Sequence, residues 1–192
     1  MPTLLETAPS IVEATIEDFD DIKSMMACAN CYAFERGGQE QWPNTEVVHG
    51  QIRHHIEWPG DEYWIVRGRE GLILAGIGVA YSDERWDDER ALYFHKFMKD
   101  PSRSVPGVAA ALLGHVVAWA EAQSIERIRC DAQTSMPGLV RYYTNYYGFT
   151  VVGKSVYESL GNAEATLLEI PTATLAARCA EITMAASAEL VA

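Results

Sequence analysis

The stretch that decides the fold is FHKFMKDPSRSVPGVAAALL, residues 94–113. It continues ALYFHKFMK at residues 91–99, whose aromatic residues favour a β-strand. After a proline-containing loop, Gly107 permits close backbone approach and opens a predicted helix over residues 107–124. RIRCDA, residues 127–132, is predicted as the next strand. Strand, helix and strand in this order predict a βαβ unit with parallel strands.

The rest of the chain predicts antiparallel strands and further helices around this unit. Thr15 and Asp18 form a variant of the capping box that begins the first helix. The order of elements predicts a mixed α/β (α+β) fold, in which a mostly antiparallel sheet of about seven strands carries helices on both faces. Predicted strands are 11–14, 62–67, 72–81, 91–99, 127–132, 149–156 and 164–170, and predicted helices are 15–36, 45–57, 107–124 and 137–147.

The C-terminal segment predicts one extra helix. We expect a domain of residues 1–170 and a helical extension of residues 171–192. Because apolar surface is costly to leave in water, the stripe on this helix must cover its own domain or a partner subunit. We expect a homodimer to which the tail contributes, with docking on its own core as the alternative. The stripe consists of Leu175, Cys179, Ile182, Ala186 and Leu190.

Composition and charge narrow the possible functions. The net charge of −12 over 192 residues argues against nucleic-acid binding and weakly favours cationic small molecules. No apolar run approaches the roughly 20 residues of a membrane span, and the N-terminus lacks the pattern of a signal peptide. We therefore expect a cytoplasmic protein with no membrane contact. The Cys28-x-x-Cys31 pair lacks a second ligand pair for zinc, so the cysteines are expected to be buried free thiols.

Three segments resemble the GNAT superfamily of acyl-CoA-dependent N-acyltransferases. Residues 104–109 are similar to its acetyl-CoA loop, Q/R-x-x-G-x-G/A, and Gly148-Phe149 matches its "GF" segment. FERGGQEQWP, residues 34–43, resembles the "RG..QWP" loop of a bacterial subgroup. The chain departs from the pattern at Ser104, where Gln or Arg is usual, at Val105, where glycine is common, and at Met136, where asparagine is common. Pro106 also lacks an N–H group.

The resemblance implies that acetyl-CoA binds beside strand 91–99 and the loop after it. The pyrophosphate would lie on backbone N–H groups at the start of the following helix. The pantetheine arm would pair with the strand edge, whose amides would also polarise the thioester carbonyl. The cofactor-binding residues so implied are Phe97, Met98, Lys99, Arg103, Ser104, Val105, Gly107, Val108 and Ala109. The plainer alternative from the residues themselves is an ordinary βα loop.

The resemblance also implies catalytic residues. His95 aligns with the second of two histidines in serotonin N-acetyltransferase, and Tyr93 aligns with the first. The period of two along a strand places both on one sheet face, where His95 would help to deprotonate the amine. Tyr143 aligns with the tyrosine that protonates the departing thiolate. One extra residue before Gly148 leaves Tyr142 as the alternative, and pure packing is open for both tyrosines and for His95.

Substrate selection is implied for the loop after the first helix and for the closing hairpin. Glu40 and Glu158 would attract a cation, and Trp42 would offer an aromatic face; Tyr93 is a further substrate-binding candidate. Alternatively, these are ordinary solvated loop residues. The acidic residues Asp83, Glu84, Asp87, Asp88 and Glu89 are interpreted as a solvated charge run.

The sequence thus predicts an N-acetyltransferase that moves an acetyl group from acetyl-CoA to a small-molecule amine by direct attack in a ternary complex, without a metal. The alternative is a non-catalytic GNAT-like accessory or ligand-binding protein, for which the altered residues Ser104, Val105 and Pro106 are the best evidence.

Overall fold

The computed structural model describes residues 9–35, 42, 46–83, 85–86, 90–103, 105–157 and 163–189. The strands are β1 (Ser10–Glu13), β2 (Glu62–Arg67), β3 (Ile73–Ala80), β4 (Leu92–Lys99), β5 (Arg127–Gln133), β6 (Thr150–Tyr157) and β7 (Ala163–Pro171). The α-helices are α1 (Phe19–Glu35), α2 (Glu46–Glu57), α3 (Val108–Ala122), α4 (Pro137–Arg141) and α5 (Thr172–Glu189). None of these helices is both long and apolar enough to cross a bilayer.

The strands form one seven-stranded sheet in the order β1-β2-β3-β4-β5-β7-β6. Strands β4 and β5 run parallel, and every other neighbouring pair is antiparallel. The crossover through α3 explains the single parallel pair, since parallel neighbours cannot be joined by a tight turn. The predicted fold class is confirmed.

Each face of the sheet has its own apolar core. One core includes Phe19, Ile22, Met25 and Met26 of α1 with Val48 and Ile52 of α2. The other joins α3 to the opposite face and includes residues of α5 and of the segment after α4. Helix α3 therefore packs against both the sheet and α5, which explains why residues on more than one side of it are buried. The helices lie on both faces, as the sequence predicts.

A π-helix over Tyr142–Tyr147 continues α4. The sequence predicts one regular helix over residues 137–147. Compared with the GNAT pattern, it has one extra residue before Gly148. A π-helical turn accommodates an extra residue inside a helix without shifting the flanking turns. Gly148 then ends the helix with φ of 86°, a left-handed conformation that glycine adopts without strain.

Helix α5 docks on its own chain. Leu175, Cys179 and Ile182 of the predicted stripe are buried in the same core as α3, while Leu190 lies outside the described residues. Cys179 lies over Gly114, where an added Cβ would be 3.7 Å from the Cys179 Cβ. The C-terminal helix therefore docks on the core of its own chain, which is the alternative expectation. Its apolar stripe gives no support to a homodimer.

The buried stripe predicts that α5 stabilises the domain. Leu175 is fully buried, so Leu175→Ala should lower the free energy of unfolding by about 2–5 kcal/mol through lost packing and a new cavity. Met184 is 66% exposed on the same helix, and Met184→Ala should change it by no more than about 0.5 kcal/mol. Urea denaturation of the two variants tests this, and similar effects of both would contradict the observed packing.

Candidate functional site

The central feature of the site is the separation of β4 from β5. Only Leu92 and Tyr93 of β4 pair with β5, through Ile128 and Arg129. Beyond them β4 bulges: the register with β3 shifts between Gly76 and Gly78, and Lys96 has φ of 50°. The edge of β4 that faces β5 therefore has backbone groups free of strand pairing over its second half. Such an edge can hydrogen-bond to an extended, amide-rich ligand.

Beside this edge lies a cavity of about 590 Å³. Its walls come from the end of β4, the start of α3, the π-helix and α5. The lining residues are Lys99, Val105, Pro106, Gly107, Val108, Ala109, Ala110, Tyr142, Tyr146, Tyr147, Arg178, Glu181, Ile182, Ala185 and Ala186. The predicted cofactor residues Lys99, Val105, Gly107, Val108 and Ala109 are therefore brought together at one cavity.

The start of α3 gives this cavity its polar character. Gly107 precedes the helix with φ of 77°, and an added Cβ would lie 2.9 Å from the Ala186 Cβ. Glycine is thus required for both conformation and space. In the first turn of α3 the Val108 N–H donates to the Val105 carbonyl at 3.3 Å and the Ala111 N–H donates to the Gly107 carbonyl at 2.8 Å. Among the described contacts, the N–H groups of Ala109 and Ala110 are the donors left in this turn to attract an anion. Pro106, which supplies no N–H, lines the cavity beside them. These features fit the pyrophosphate of an acyl-CoA.

The other predicted cofactor residues lie nearby but not in the cavity lining. Phe97 and Met98 are buried in the two cores on opposite faces of the sheet, so only their backbone is available to a ligand. Arg103 is exposed and pairs with Asp100 at 3.4 Å. Ser104 lies outside the described residues.

The two candidate tyrosines occupy different places. Tyr142 lines the cavity, and its hydroxyl lies 3.3 Å from that of Tyr147. Tyr143 is buried between Phe94 and Phe149, with ring centroids at 5.8 and 5.6 Å. Burial raises the pKa of Tyr143 well above its usual range. Tyr143 therefore remains protonated, and it lies near β5, the strand that separates from β4.

His95 lies on the opposite face of the sheet from Tyr143. Its Nε2 is 3.3 Å from a carboxylate oxygen of Asp83, and its ring stacks on His55 with centroids 5.5 Å apart. Burial lowers the pKa of His95 well below its usual range, and the Asp83 carboxylate opposes this shift. His95 is thus an unprotonated imidazole with an adjacent carboxylate, the arrangement of a general base.

Among the described residues, two carboxylates and two cations lie around His95. The Arg85 guanidinium bonds to Asp83 and lies 3.3 Å from Asp131. Burial lowers the pKa of Lys96, and Asp131 opposes this shift. The interpretation of Asp83 as part of a solvated charge run is wrong, because its side chain is only 5% exposed and ion-paired. Glu84 and residues 87–89 of that run lie outside the described residues.

Ligand atoms of Asp83, His95 and Asp131 lie within 4.8 Å of one another, a spacing compatible with a metal ion. Arg85 already neutralises both carboxylates, so a metal would have to displace its guanidinium. A site without a metal remains the prediction. Sequence reasoning missed Asp83, Arg85 and Asp131 because their neighbours in space come from a loop and two strands.

The predicted substrate residues are less clearly placed. Tyr93 shares the face of His95, but it is buried and its hydroxyl accepts a hydrogen bond of 3.0 Å from Arg129. Trp42 packs against the core beneath α1 and α2, and its backbone bonds to Asn30. Glu40 and Glu158 lie outside the described residues.

All four cysteines are free, but the prediction that all are buried is wrong for two of them. Cys28 and Cys31 lie on the exposed side of α1 and point away from its apolar stripe. Cys130 and Cys179 are buried.

Comparisons with known proteins agree with this geometry. Residues 27–149 match the model of the acetyltransferase (GNAT) family. A GNAT-family acetyltransferase from Staphylococcus aureus Mu50 has a TM-score of 0.64 at 15% identity, covering 86% of this chain and 99% of that one. One from Listeria monocytogenes has a TM-score of 0.63 at 19% identity, with coverages of 85% and 94%. At these identities the likeness shows the fold.

A third similar structure is a spermidine N-acetyltransferase chimera from Vibrio cholerae SpeG and hSSAT. Its TM-score is 0.61 at 15% identity, and the match covers 87% of this chain and 97% of that one. A comparison with curated protein sequences gave no match.

The buried histidine next to His95 predicts a pH dependence of stability. Burial lowers the pKa of His55 to about 4, and nearby Lys96 adds to this. Between this value and about 6.5, its usual pKa, the unfolded chain binds more protons than the folded one, so stability falls as pH falls. From pH 7.5 to pH 5, His55 should account for a loss of about 2 kcal/mol.

His55→Leu should remove that part of the pH dependence, measured by urea denaturation at the two pH values. His54→Leu, at the exposed neighbouring residue, is the control and should keep most of the wild-type difference, because His54 contributes less to the lowered pKa of His55 than burial does. An unchanged pH dependence in His55→Leu would show that this imidazole does not stay neutral in the folded protein.

Proposed function

Because residues 27–149 match the family model, the chain belongs to the acetyltransferase (GNAT) family, and we propose that it transfers an acetyl group from acetyl-CoA to a small-molecule amine. The observation that carries this proposal is the placement of His95 and Tyr143 on opposite faces of the parted strands β4 and β5. Two reactants can then meet in the gap from opposite sides, as direct attack in a ternary complex requires.

The cofactor side of the proposal rests on the cavity. The first-turn N–H groups of α3 would bind the pyrophosphate, and the free edge of β4 at residues 97–99 would pair with the pantetheine amides. This edge would bring the thioester to the bulge at Lys96. Backbone N–H groups there would polarise the carbonyl as negative charge develops on its oxygen.

The acceptor side rests on His95 and its charged neighbours. His95 would accept a proton from the attacking amine, and Asp83 at 3.3 Å would stabilise the imidazolium that forms. The proton that His95 accepts is the one that a cationic amine must lose before it can attack. As the C–N bond forms and the C–S bond breaks, Tyr143 would give its proton to the thiolate, and the second proton, lost by the nitrogen as the amide forms, would restore the phenol. Its raised pKa means that Tyr143 enters the reaction protonated, so its hydroxyl can donate a hydrogen bond to the sulfur while negative charge develops there. None of these steps needs a metal.

The acceptor is proposed to be a cationic amine. The net charge of −12 attracts cations over a distance. The structurally similar Vibrio cholerae protein is a spermidine N-acetyltransferase by name, so polyamines are the first acceptors to test. We place the protein in the cytoplasm, where a reducing environment preserves free thiols such as the exposed Cys28 and Cys31.

The catalytic proposal predicts different effects at the two tyrosines. Tyr143→Phe should lower kcat by a factor on the order of 10² while acetyl-CoA affinity stays unchanged, since its proton matters only as the thiolate leaves. Tyr142→Phe, the neighbouring control, should keep wild-type kcat. The measurements are release of free thiol with a panel of amines including spermidine, and calorimetry with acetyl-CoA.

A loss in Tyr142→Phe instead of Tyr143→Phe would move the acid to the cavity-lining tyrosine. If wild type binds acetyl-CoA but acetylates no amine, the amine acceptor is wrong. If acetyl-CoA does not bind at all, the non-catalytic alternative replaces the proposal.

The protein is further proposed to be a homodimer. The support is β6, an edge strand with Val151, Val152 and Val156 each about half exposed. Within the part of the chain that the structure describes, the outer edge of β6 has no strand partner, and such an edge can pair with the same edge of a second copy. Light scattering should give the dimer mass for wild type and the monomer mass for Val151→Lys. A monomeric wild-type protein would exclude this assembly.

A further inference from the structure

Helix α5 lies beyond residue 149, where the match to the family model ends, yet it forms a wall of the cavity. It packs directly against α3 and borders the cavity beside the start of that helix. Its contributions to the lining are Arg178, Glu181, Ile182, Ala185 and Ala186.

The position of α5 is fixed at both ends. At its start, the Thr172 hydroxyl donates to the Ile125 carbonyl at 2.8 Å, and the Thr172 N–H donates to the Glu126 carbonyl at 2.9 Å. Near its end, Ala186 lies against Gly107, at the point where only glycine leaves enough space. Helix α5 is therefore attached at its start to the segment before β5 and lies near its end against the turn that precedes α3.

Arg178 is held in this wall by hydrogen bonds that use only part of its N–H donors. Its Nε donates to the Tyr146 carbonyl at 2.7 Å, and its Nη1 donates to Glu181 at 2.8 Å. Its guanidinium lies 5.8 Å from the centroid of the Tyr146 ring. These contacts use two of the five N–H donors of a guanidinium. The remaining donors suit a phosphate group, which planar guanidinium binds strongly.

Charge gives a reason for such a residue. An acyl-CoA is strongly anionic through its pyrophosphate and 3′-phosphate, whereas this chain carries a net charge of −12. Long-range electrostatics therefore oppose binding, and local cations must offset them. Within the described lining of the cavity, Lys99 and Arg178 are the cationic side chains and Glu181 is the acidic one.

We propose that α5 is part of the acyl-CoA site and that Arg178 binds a phosphate of the cofactor. The proposal rests on the proposed use of an acyl-CoA and assigns a cofactor contact to a helix outside the matched family segment. Arg178 and the first turn of α3 line the same cavity, so both could contact phosphates of one bound cofactor.

The test is calorimetry of wild type and variants with CoA, 3′-dephospho-CoA and pantetheine. Arg178→Gln should weaken CoA binding by about 10-fold or more, because a charge-assisted hydrogen bond is lost. Pantetheine, which lacks phosphate, should bind both proteins equally. Arg53→Gln removes the same charge from α2 on the opposite face and should leave CoA affinity unchanged.

The ligand series also identifies the phosphate. A loss confined to CoA assigns Arg178 to the 3′-phosphate, and an equal loss for CoA and 3′-dephospho-CoA assigns it to the pyrophosphate. Glu181→Gln, which keeps Arg178 and removes the opposing charge, should strengthen CoA binding several-fold. This variant keeps the test valid if Arg178→Gln weakens the packing of α5.

Two results would overturn the proposal. One is a wild-type protein and an Arg178→Gln variant that bind CoA equally, which leaves the proposed function intact. The other is an equal loss of pantetheine binding, which would mean that Arg178 only supports the shape of the cavity. A wild-type protein that binds no CoA would instead refute the proposed function itself.

Discussion

The limited pairing of β4 with β5 is the constraint on which the site depends. Parallel strands joined through α3 start side by side at Tyr93 and Arg129 and then separate. The bulge at Lys96 keeps β4 attached to β3 while its other edge is free, and the Tyr63 hydroxyl donates to the Lys96 carbonyl at 3.4 Å. Without this separation the sheet would be continuous, and a ligand on one face could not contact a ligand on the other.

The gap brings buried charge with it, and the chain balances that charge locally. Isolated ionised groups are very costly to bury, so they are found paired. Asp83 and Asp131 are matched by Arg85 and Lys96, and His95 stays neutral beside them. This balance leaves the imidazole able to gain a proton during a reaction, because Asp83 is already placed to stabilise the resulting cation.

Elements with a strong local signal were predictable from the sequence, and contacts between distant segments were not. The capping box at Thr15, the turn at Gly107 and the boundaries of β2 follow from local residue chemistry. The solvated interpretation of Asp83 failed because a loop with alternating charges resembles a surface loop until its partners on β4 and β5 are known. The π-helix could not be predicted for the same reason. The extra residue before Gly148 can be seen in the sequence, but how the helix accommodates it depends on tertiary packing.

Helix α5 shows how one apolar stripe leaves two possible partners. The sequence does not distinguish the two partners, since the hydrophobic effect is not directional. The stripe of Leu175, Cys179 and Ile182 would be buried equally well against α3 or against a second subunit. What selects α3 is shape: small residues at Gly107 and Gly114 let α5 approach closely. The same approach brings its charged residues to the cavity, so the packing that stabilises the domain also determines which side chains can face a ligand there.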